Sequence, residues 1–344
     1  MSKQTIKVNY TGKLRPVQRA VIIILPVVIF LVCLCIGRMS IPLPDVLRSL
    51  GGIFDLSSDV AKQTDTVVRS IRLPRLILAS LTGAGLAVSG CAYQGIFSNP
   101  LATPDTLGVA SGASFGAALA LLFGFNGIGV QIVAFLFGIA AVSLTWITSQ
   151  GLEDRQNSSI LAGIMIGSLF SALVSLVKFT ADTESQLPAI TYWLMGSLES
   201  ASFRTLIIGA PPILIGIVVL LLLRWKMNSL VLSEDEAVSS GVNIKRLRLI
   251  CQLCATMITA SCVAMCGQVG WVGLLVPHIC KMRLGSNNVS LMPACVGIGA
   301  AFMMAVDTIA RSVSPKEIPI SILTALIGAP FFIYLLRRNR GWEL

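Results

Sequence analysis

Apolar runs of about twenty residues recur along this chain from Val17 to Leu336, broken only by short polar or Gly/Pro clusters. A bilayer core about 30 Å thick is crossed by roughly 20 residues of α-helix. In hydrocarbon every backbone polar group needs a partner, and a helix supplies one from within its own segment. The pattern therefore predicts an all-α polytopic membrane protein. Composition agrees: only 12% of the 344 residues are charged, against about 25% in soluble domains, which excludes an ordinary soluble globule.

Ten transmembrane spans are predicted, at about 17–37, 73–94, 106–124, 128–150, 158–180, 205–224, 247–268, 270–283, 290–310 and 318–337. The eighth is short, and Gly270, Gly273 and Pro277 predict a bend or break in it. The run Val21–Ile36 follows five basic residues as in a signal peptide, but it is too long and no A-x-A site follows, so it reads as the first span. Bulky Val32 before Cys33 argues against lipid attachment. No boundary divides the chain. Residues 1–344 read as one transmembrane domain with a cytoplasmic tail (1–16), an external loop (38–72) and a cytoplasmic loop (228–246).

Lysine and arginine outnumber acids 26 to 16, spread over tails and loops, so topology explains them better than a nucleic-acid partner. An even number of spans puts both termini on one side, and the basic tails make that side the cytoplasm. Sixteen of the 26 basic residues then lie inside; of the others, six fall between Arg38 and Arg75.

Candidates for chemistry are few. The nine cysteines sit almost wholly in apolar runs and read as small buried residues. Cys251 and Cys254 lack the second pair or histidine a zinc site needs, so no metal site is expected. No nucleophile–base pair or HExxH motif suggests a catalytic residue, and no G-x-x-x-x-G-K-[ST] loop is present to cradle ATP. His278, after Pro277, reads as bonding a carbonyl freed by a helix break. Asp307, the one acid well inside a predicted span, reads either as a functional candidate or as a structural i, i+4 pair with Arg311. Gly112/Gly116 and Gly163/Gly167 predict close helix packing. Ser233 with Glu236 three residues later forms a capping box, and Gly241 is placed to stop the helix it starts. That short cytoplasmic helix suits docking to a partner.

Several stretches together resemble the FecCD-type permeases of ATP-binding-cassette importers for iron-siderophores, haem and vitamin B12. They are Arg72-Leu73-Pro74-Arg75, Gly83 to Gly90 with Gln94, Asn99-Pro100-Leu101-Ala102, Leu107 to Ala113, Leu161 to Gly163, Trp193 to Ser197, Ser233 to Val242, Gly270 to Ile279, Asp307 to Arg311, Glu317-Ile318-Pro319 and Thr324 to Pro330. The resemblance covers nearly the whole chain after the first span.

It implies the type II ABC importer permease fold and a translocation subunit, not an enzyme. The partners implied are a second permease (identical or a paralogue), two cytoplasmic ATPases and an external binding protein. The chain itself would bind no cofactor; ATP and Mg would belong to the ATPase. Ser233, Glu234, Glu236 and Gly241 would form the coupling helix, and Arg72, Arg75 and Arg311 would meet acids of the binding protein. Asn99, Pro100 and Leu101 would form the cytoplasmic gate, aided by Gln156, Asn157 and Ser158. Ser286-Asn287-Asn288 replaces the family's frequent Asp-His-Arg. An iron chelate is the expected cargo, with haem or cobalamin on the same scaffold as alternatives. The rivals, an ion-gradient transporter and an intramembrane enzyme, lack the buried carboxylates and the catalytic groups they need.

Overall fold

The structure, a computed structural model, describes residues 14–51, 61–150, 155–231, 241–314 and 316–338; every regular element within them is a helix. α1 (Pro16–Cys35) opens with Pro16, whose missing N–H costs nothing in a first turn. α2 (Leu43–Gly51) and α3 (Lys62–Thr66) lie in the segment expected to be only a loop. α3 continues through a π-helical turn, Val67–Arg72, into α4 (Leu73–Ile96), so the second span starts well before residue 73. Pro74 accounts for that turn. It offers no N–H to the carbonyl four residues back and its ring crowds that carbonyl; the helix widens, and the Leu73 N–H bonds the Val68 carbonyl five residues back.

A 3₁₀ turn, Pro104–Leu107, leads to α5 (Val109–Leu122), α6 (Ile128–Thr148) and α7 (Arg155–Thr180). α8 (Gln186–Leu194), a short helix absent from the sequence expectation, precedes α9 (Phe203–Leu223). Another 3₁₀ turn, Lys226–Val231, is followed after Gly241 by α10 (Ile244–Cys266), α11 (Val272–Leu284), α12 (Asn288–Ser312) and α13 (Ile320–Arg338). Each of the ten expected spans coincides with a helix. Among the described residues seven helices are long and apolar enough to cross a membrane, while α5, α11 and the apolar part of α13 are shorter.

α4 is the central helix, buried along most of its length. Its neighbours reach it by backbone contact. A Cβ added at Gly83 would lie 2.2 Å from the Gly299 carbonyl oxygen of α12, and one at Gly90 would lie 1.8 Å from the Gly273 carbonyl oxygen of α11. That Gly273 carbonyl is the group that would accept from residue 277, where Pro277 has no N–H to give. Freed from the ladder, it rests on the Gly90 α-carbon instead. α12 runs antiparallel to α4 and parallel to α1, as the pairs Gly83 with Gly299, Arg75 with Asp307, and Gly297 with the Ile22 carbonyl record.

The bend or break expected from Gly270, Gly273 and Pro277 falls at Gly270: α11 starts at Val272 and is helical through Pro277. The irregular stretch lies just before, where Gly267 has φ +72° and Trp271, a non-glycine, has φ +68°. Trp271 is held there by packing; its indole covers Gly328 of α13 and lies 6.1 Å from the Phe332 ring. His278 sits among aromatic rings, 5.3 Å from Phe332 and 6.4 Å from Phe331. Gly112 and Gly116 pack on α6, whereas Gly163 meets not a helix but the 3₁₀ turn, 2.2 Å from the Thr106 oxygen by the same Cβ measure.

Gly90→Ala forces a methyl into a backbone carbonyl, and is expected to destabilise by about 3 kcal/mol or more, the upper range for overpacking. Gly270→Ala, which meets nothing within 4 Å, is expected to be neutral. Thermal unfolding of the two variants in detergent, followed by size-exclusion fluorescence, checks the contrast.

Candidate functional site

At the end of the bundle opposite the amino terminus, the start of α4 carries Arg75 into the interior, where one guanidinium holds two carboxylates. It meets Asp307 of α12 through Nε (2.9 and 3.1 Å) and Nη2 (2.8 Å), and Glu317 through Nη1 (2.9 Å) and Nη2 (2.8 Å). Asp307 is 0% and Arg75 7% exposed. Charges this far from water persist only when paired and hydrogen-bonded on most sides, and the planar fork of arginine meets that need bidentately. Arg311, the neighbour expected from sequence, stands 3.7 Å from Asp307 and is the weaker partner.

Arg72 and Arg311 face the carboxyl end of α1, whose last carbonyls have no partner within the helix. Arg72 donates to the Leu34 (2.5 Å), Cys35 (3.2 Å) and Met39 carbonyls, and Arg311 to the Cys33 carbonyl (2.6 Å). Both are buried, at 4% and 8% exposure. All three arginines expected to meet acids of an external binding protein are thus buried, with their guanidiniums engaged inside the chain. They are drawn inward because carboxylates and helix-end carbonyls, remote in sequence, replace their water. The basic cluster divides accordingly: Arg69 pairs with Asp65 (2.9 Å) and Arg48 with Asp45 (3.4 Å) nearer the surface.

Just beyond Glu317, the Ile320 N–H donates to the Gly196 carbonyl (3.0 Å) and the Ser321 hydroxyl to the Met195 carbonyl (2.6 Å), joining the first turn of α13 to the end of α8. The other end of α8 is set by Asp182, which accepts from the Ser185 hydroxyl (2.6 Å) and amide (2.8 Å). Those bonds hold its carboxyl below the usual range. Sequence reasoning missed Glu317 as a partner of Arg75 because 242 residues separate them.

At the amino-terminal end, α4 gives way to a tight turn. Ser98 adopts φ +48°, the Asn99 side-chain oxygen accepts from the Leu101 N–H (2.9 Å), and the Asn99 carbonyl accepts from the Ala102 N–H (3.1 Å). Pro100 sits within this turn and Leu101 projects outward, 56% exposed. Asn157 and Ser158 lie in the first turn of α7, just before Gly163 meets Thr106; the Gln156 side chain lies outside the described residues.

Ser233, Glu234 and Glu236 also lie outside the described residues. Gly241, which comes after them, has φ +73°, and Asn243 caps α10 by accepting from the Arg246 N–H (3.0 Å). A side-chain amide pair flanks this loop. Asn228 Nδ2 donates to Asn287 Oδ1 (3.1 Å), and Asn228 Oδ1 accepts from the Asn288 N–H (2.8 Å). Asn287 and Asn288, noted in the sequence only as a departure, thus make neutral contacts to the loop's root. Nearby, Lys281 donates to Gln94 (2.8 Å). Among the described residues no group of three or more His, Cys, Asp or Glu is placed to hold a metal ion.

Residues 24–338 match the FecCD transport family. The chain belongs to the FecCD transport family. It is 42% identical over 92% of its length, and 95% of the relative's, to a Haemophilus influenzae protein named molybdate import system permease protein MolB. It is 36% identical, over 83% of its length and 87% of the relative's, to a Helicobacter pylori protein named probable iron chelatin transport system permease protein. A solved structure described as an inward-facing conformation of a metal-chelate type ABC transporter superposes with TM-score 0.83 at 40% identity, covering 92% of this chain and 97% of that one. This FecCD chain is a membrane-spanning ABC importer permease, a transport component of systems that work with ATPase subunits and binding proteins.

Arg75→Gln leaves Asp307 and Glu317 facing a neutral amide in the interior. A loss of about 3–5 kcal/mol is expected, the range for breaking a buried pair; Arg48→Gln, at the surface, should change stability by less than about 1 kcal/mol. Thermal unfolding of both variants in the same detergent tests the difference.

Proposed function

We propose that this permease is the translocation subunit of an ATP-driven importer for an iron chelate, a ferric siderophore foremost. The family match over residues 24–338 carries the reading, and the relative named for iron chelatin transport supports the cargo. Two permeases, the second identical or a paralogue, enclose the path. Two cytoplasmic ATPases hydrolyse Mg-ATP, and an external binding protein delivers the chelate. The membrane is the inner membrane of a bacterium or archaeon, with both termini and the Asn99 turn on the cytoplasmic side.

Surface chemistry supports a pre-chelated cargo. The exposed face of α7 carries Ser168, Ser171 and Ser175, whose hydroxyls are spent on carbonyls one turn back, leaving a weakly polar surface. Such a face lets a bulky complex slide without strong ligands. Arg72, Arg75 and Arg311, the donors that would attract an oxyanion at the external end, are committed to carboxylates and carbonyls. In operation, Ser233, Glu234, Glu236 and Gly241 take the ATPase stroke, and the Asn99 turn with Leu101 opens and closes the cytoplasmic end, shifting the pair between outward-open and inward-open states.

Molybdate is the second reading, favoured by the 42% identity to a protein named for its import. Haem and cobalamin would use the same scaffold. Proteoliposomes holding the permease with its ATPase and binding protein separate these cargoes. ATP-dependent accumulation of a radio-iron siderophore, unaffected by excess molybdate, is the expected result; uptake of molybdate alone overturns the chelate reading. In the same vesicles Glu234→Lys with Glu236→Lys should abolish uptake while the protein still inserts, and undiminished uptake would remove the coupling role.

A further inference from the structure

We propose that the cavity beside the end of α8 binds an organic cation, a primary ammonium on a short aliphatic arm, carried by the imported chelate. The site stands on this chain alone, and the chelate as carrier rests on the proposed importer function. The cavity, of about 330 Å³, has Tyr192 and Trp193 of α8, Ser197 and Glu199 of the turn after it, and Met265 and Cys266 of α10 among its walls. It lies at the end of the bundle that holds Arg75, which the proposed topology puts outside the cell.

Short fastenings hold these groups in place. The Ser197 N–H donates to the Cys266 carbonyl (2.9 Å) and the Gly196 carbonyl accepts from the Ile320 N–H (3.0 Å), so the turn is tied to α10 and α13. Within it the Ser197 hydroxyl accepts from the Glu199 N–H (3.0 Å), and the Tyr192 hydroxyl donates to Glu199 Oε2 (2.7 Å). The carboxylate is thus aimed before any ligand arrives. Met265 and Cys266, 4% and 2% exposed, lie at the floor, while Tyr192, 41% exposed, stands at the rim.

Among the described residues no lysine or arginine stands within ion-pair distance of Glu199. The Tyr192 phenol registers the negative charge: burial first, then Glu199 and Glu317, push it above its ordinary value. Phenol and indole faces attract cations as well. A bare metal ion is poorly served, since a calcium-sized cation takes about six or more oxygens and no group of three His, Cys, Asp or Glu is placed for a metal among the described residues. An anion meets no basic side chain in the lining. An aliphatic ammonium meets what is there: its head donates to the carboxylate, and its methylenes lie over Met265 and the rings.

Permease in nanodiscs of zwitterionic lipid, titrated with terminal aminopentanol and with the matching pentanediol, tests the site by saturation-transfer NMR. The two compounds share a length and differ in charge. The amino alcohol is expected to bind about tenfold or more tightly, the worth of one charge-assisted hydrogen bond. Glu199→Gln should bring it down to the level of the diol, and Glu199→Asp should keep part of the preference. Glu184→Gln, at an exposed acid outside the cavity, should change nothing. Equal binding of the two compounds by the parent, or an undiminished preference in Glu199→Gln, would overturn the proposal. The carrier is tested in the transport vesicles with a ferric trihydroxamate bearing a terminal ammonium and with the same chelate N-acetylated. Glu199→Gln should raise KM about tenfold for the first and leave the second unchanged. Equal loss of both would give the ammonium to a lysine of the binding protein and overturn the cargo assignment. Transport of neither chelate would sink the chelate reading, while the aminopentanol preference still upheld the site.

Discussion

Backbone contact at α4 sets the spacing of the whole bundle. Gly83 against Gly299 and Gly90 against Gly273 bring α12 and α11 to a distance that no side chain permits. Between membrane helices, where lipid tails are as apolar as leucine, such contact is the main source of attraction. Pro277 contributes in an unexpected way, because the carbonyl it fails to bond becomes the surface on which Gly90 rests. A proline that reads as a break in the chain is a packing device in the fold.

The same close approach makes the buried ion network possible. With α4 and α12 antiparallel and nearly touching, Arg75 reaches Asp307 and Glu317 together. The π turn forced by Pro74 precedes it and delivers Arg72 to the end of α1. α1 itself is little buried, yet its carbonyl end is held by two arginines from α12 and the π turn. The network therefore attaches a peripheral helix and closes the far end of the core, and just beyond Glu317 the bonds of Ile320 and Ser321 tie α13 to the end of α8. Such a framework gives a transporter a stiff end against which other elements move.

At the opposite end the fastenings involve side-chain amides and no carboxylate. Asn228, Asn287 and Asn288 exchange amide hydrogen bonds at the root of the loop proposed to couple to the ATPase, and Lys281 bonds Gln94 without a carboxylate. Neutral amide bonds are each weaker than a desolvated ion pair, which suits the end where the proposed gate and coupling loop must move. The contrast between a charged, locked end and an amide-linked end is a property of the fold, since Asn228 and Asn287 stand 59 residues apart.

The sequence by itself determined the class of fold, the order of the apolar helices and, through its motifs, the family, because hydropathy acts over stretches of about twenty residues. It did not disclose α2, α3 or α8, which are too short or too polar to announce themselves by hydropathy. Nor did it place the arginines. Arg72, Arg75 and Arg311 carry the same charge whether they face water or a buried carboxylate, and only the tertiary structure, by bringing Asp307, Glu317 and the end of α1 within bonding distance, decided that they turn inward.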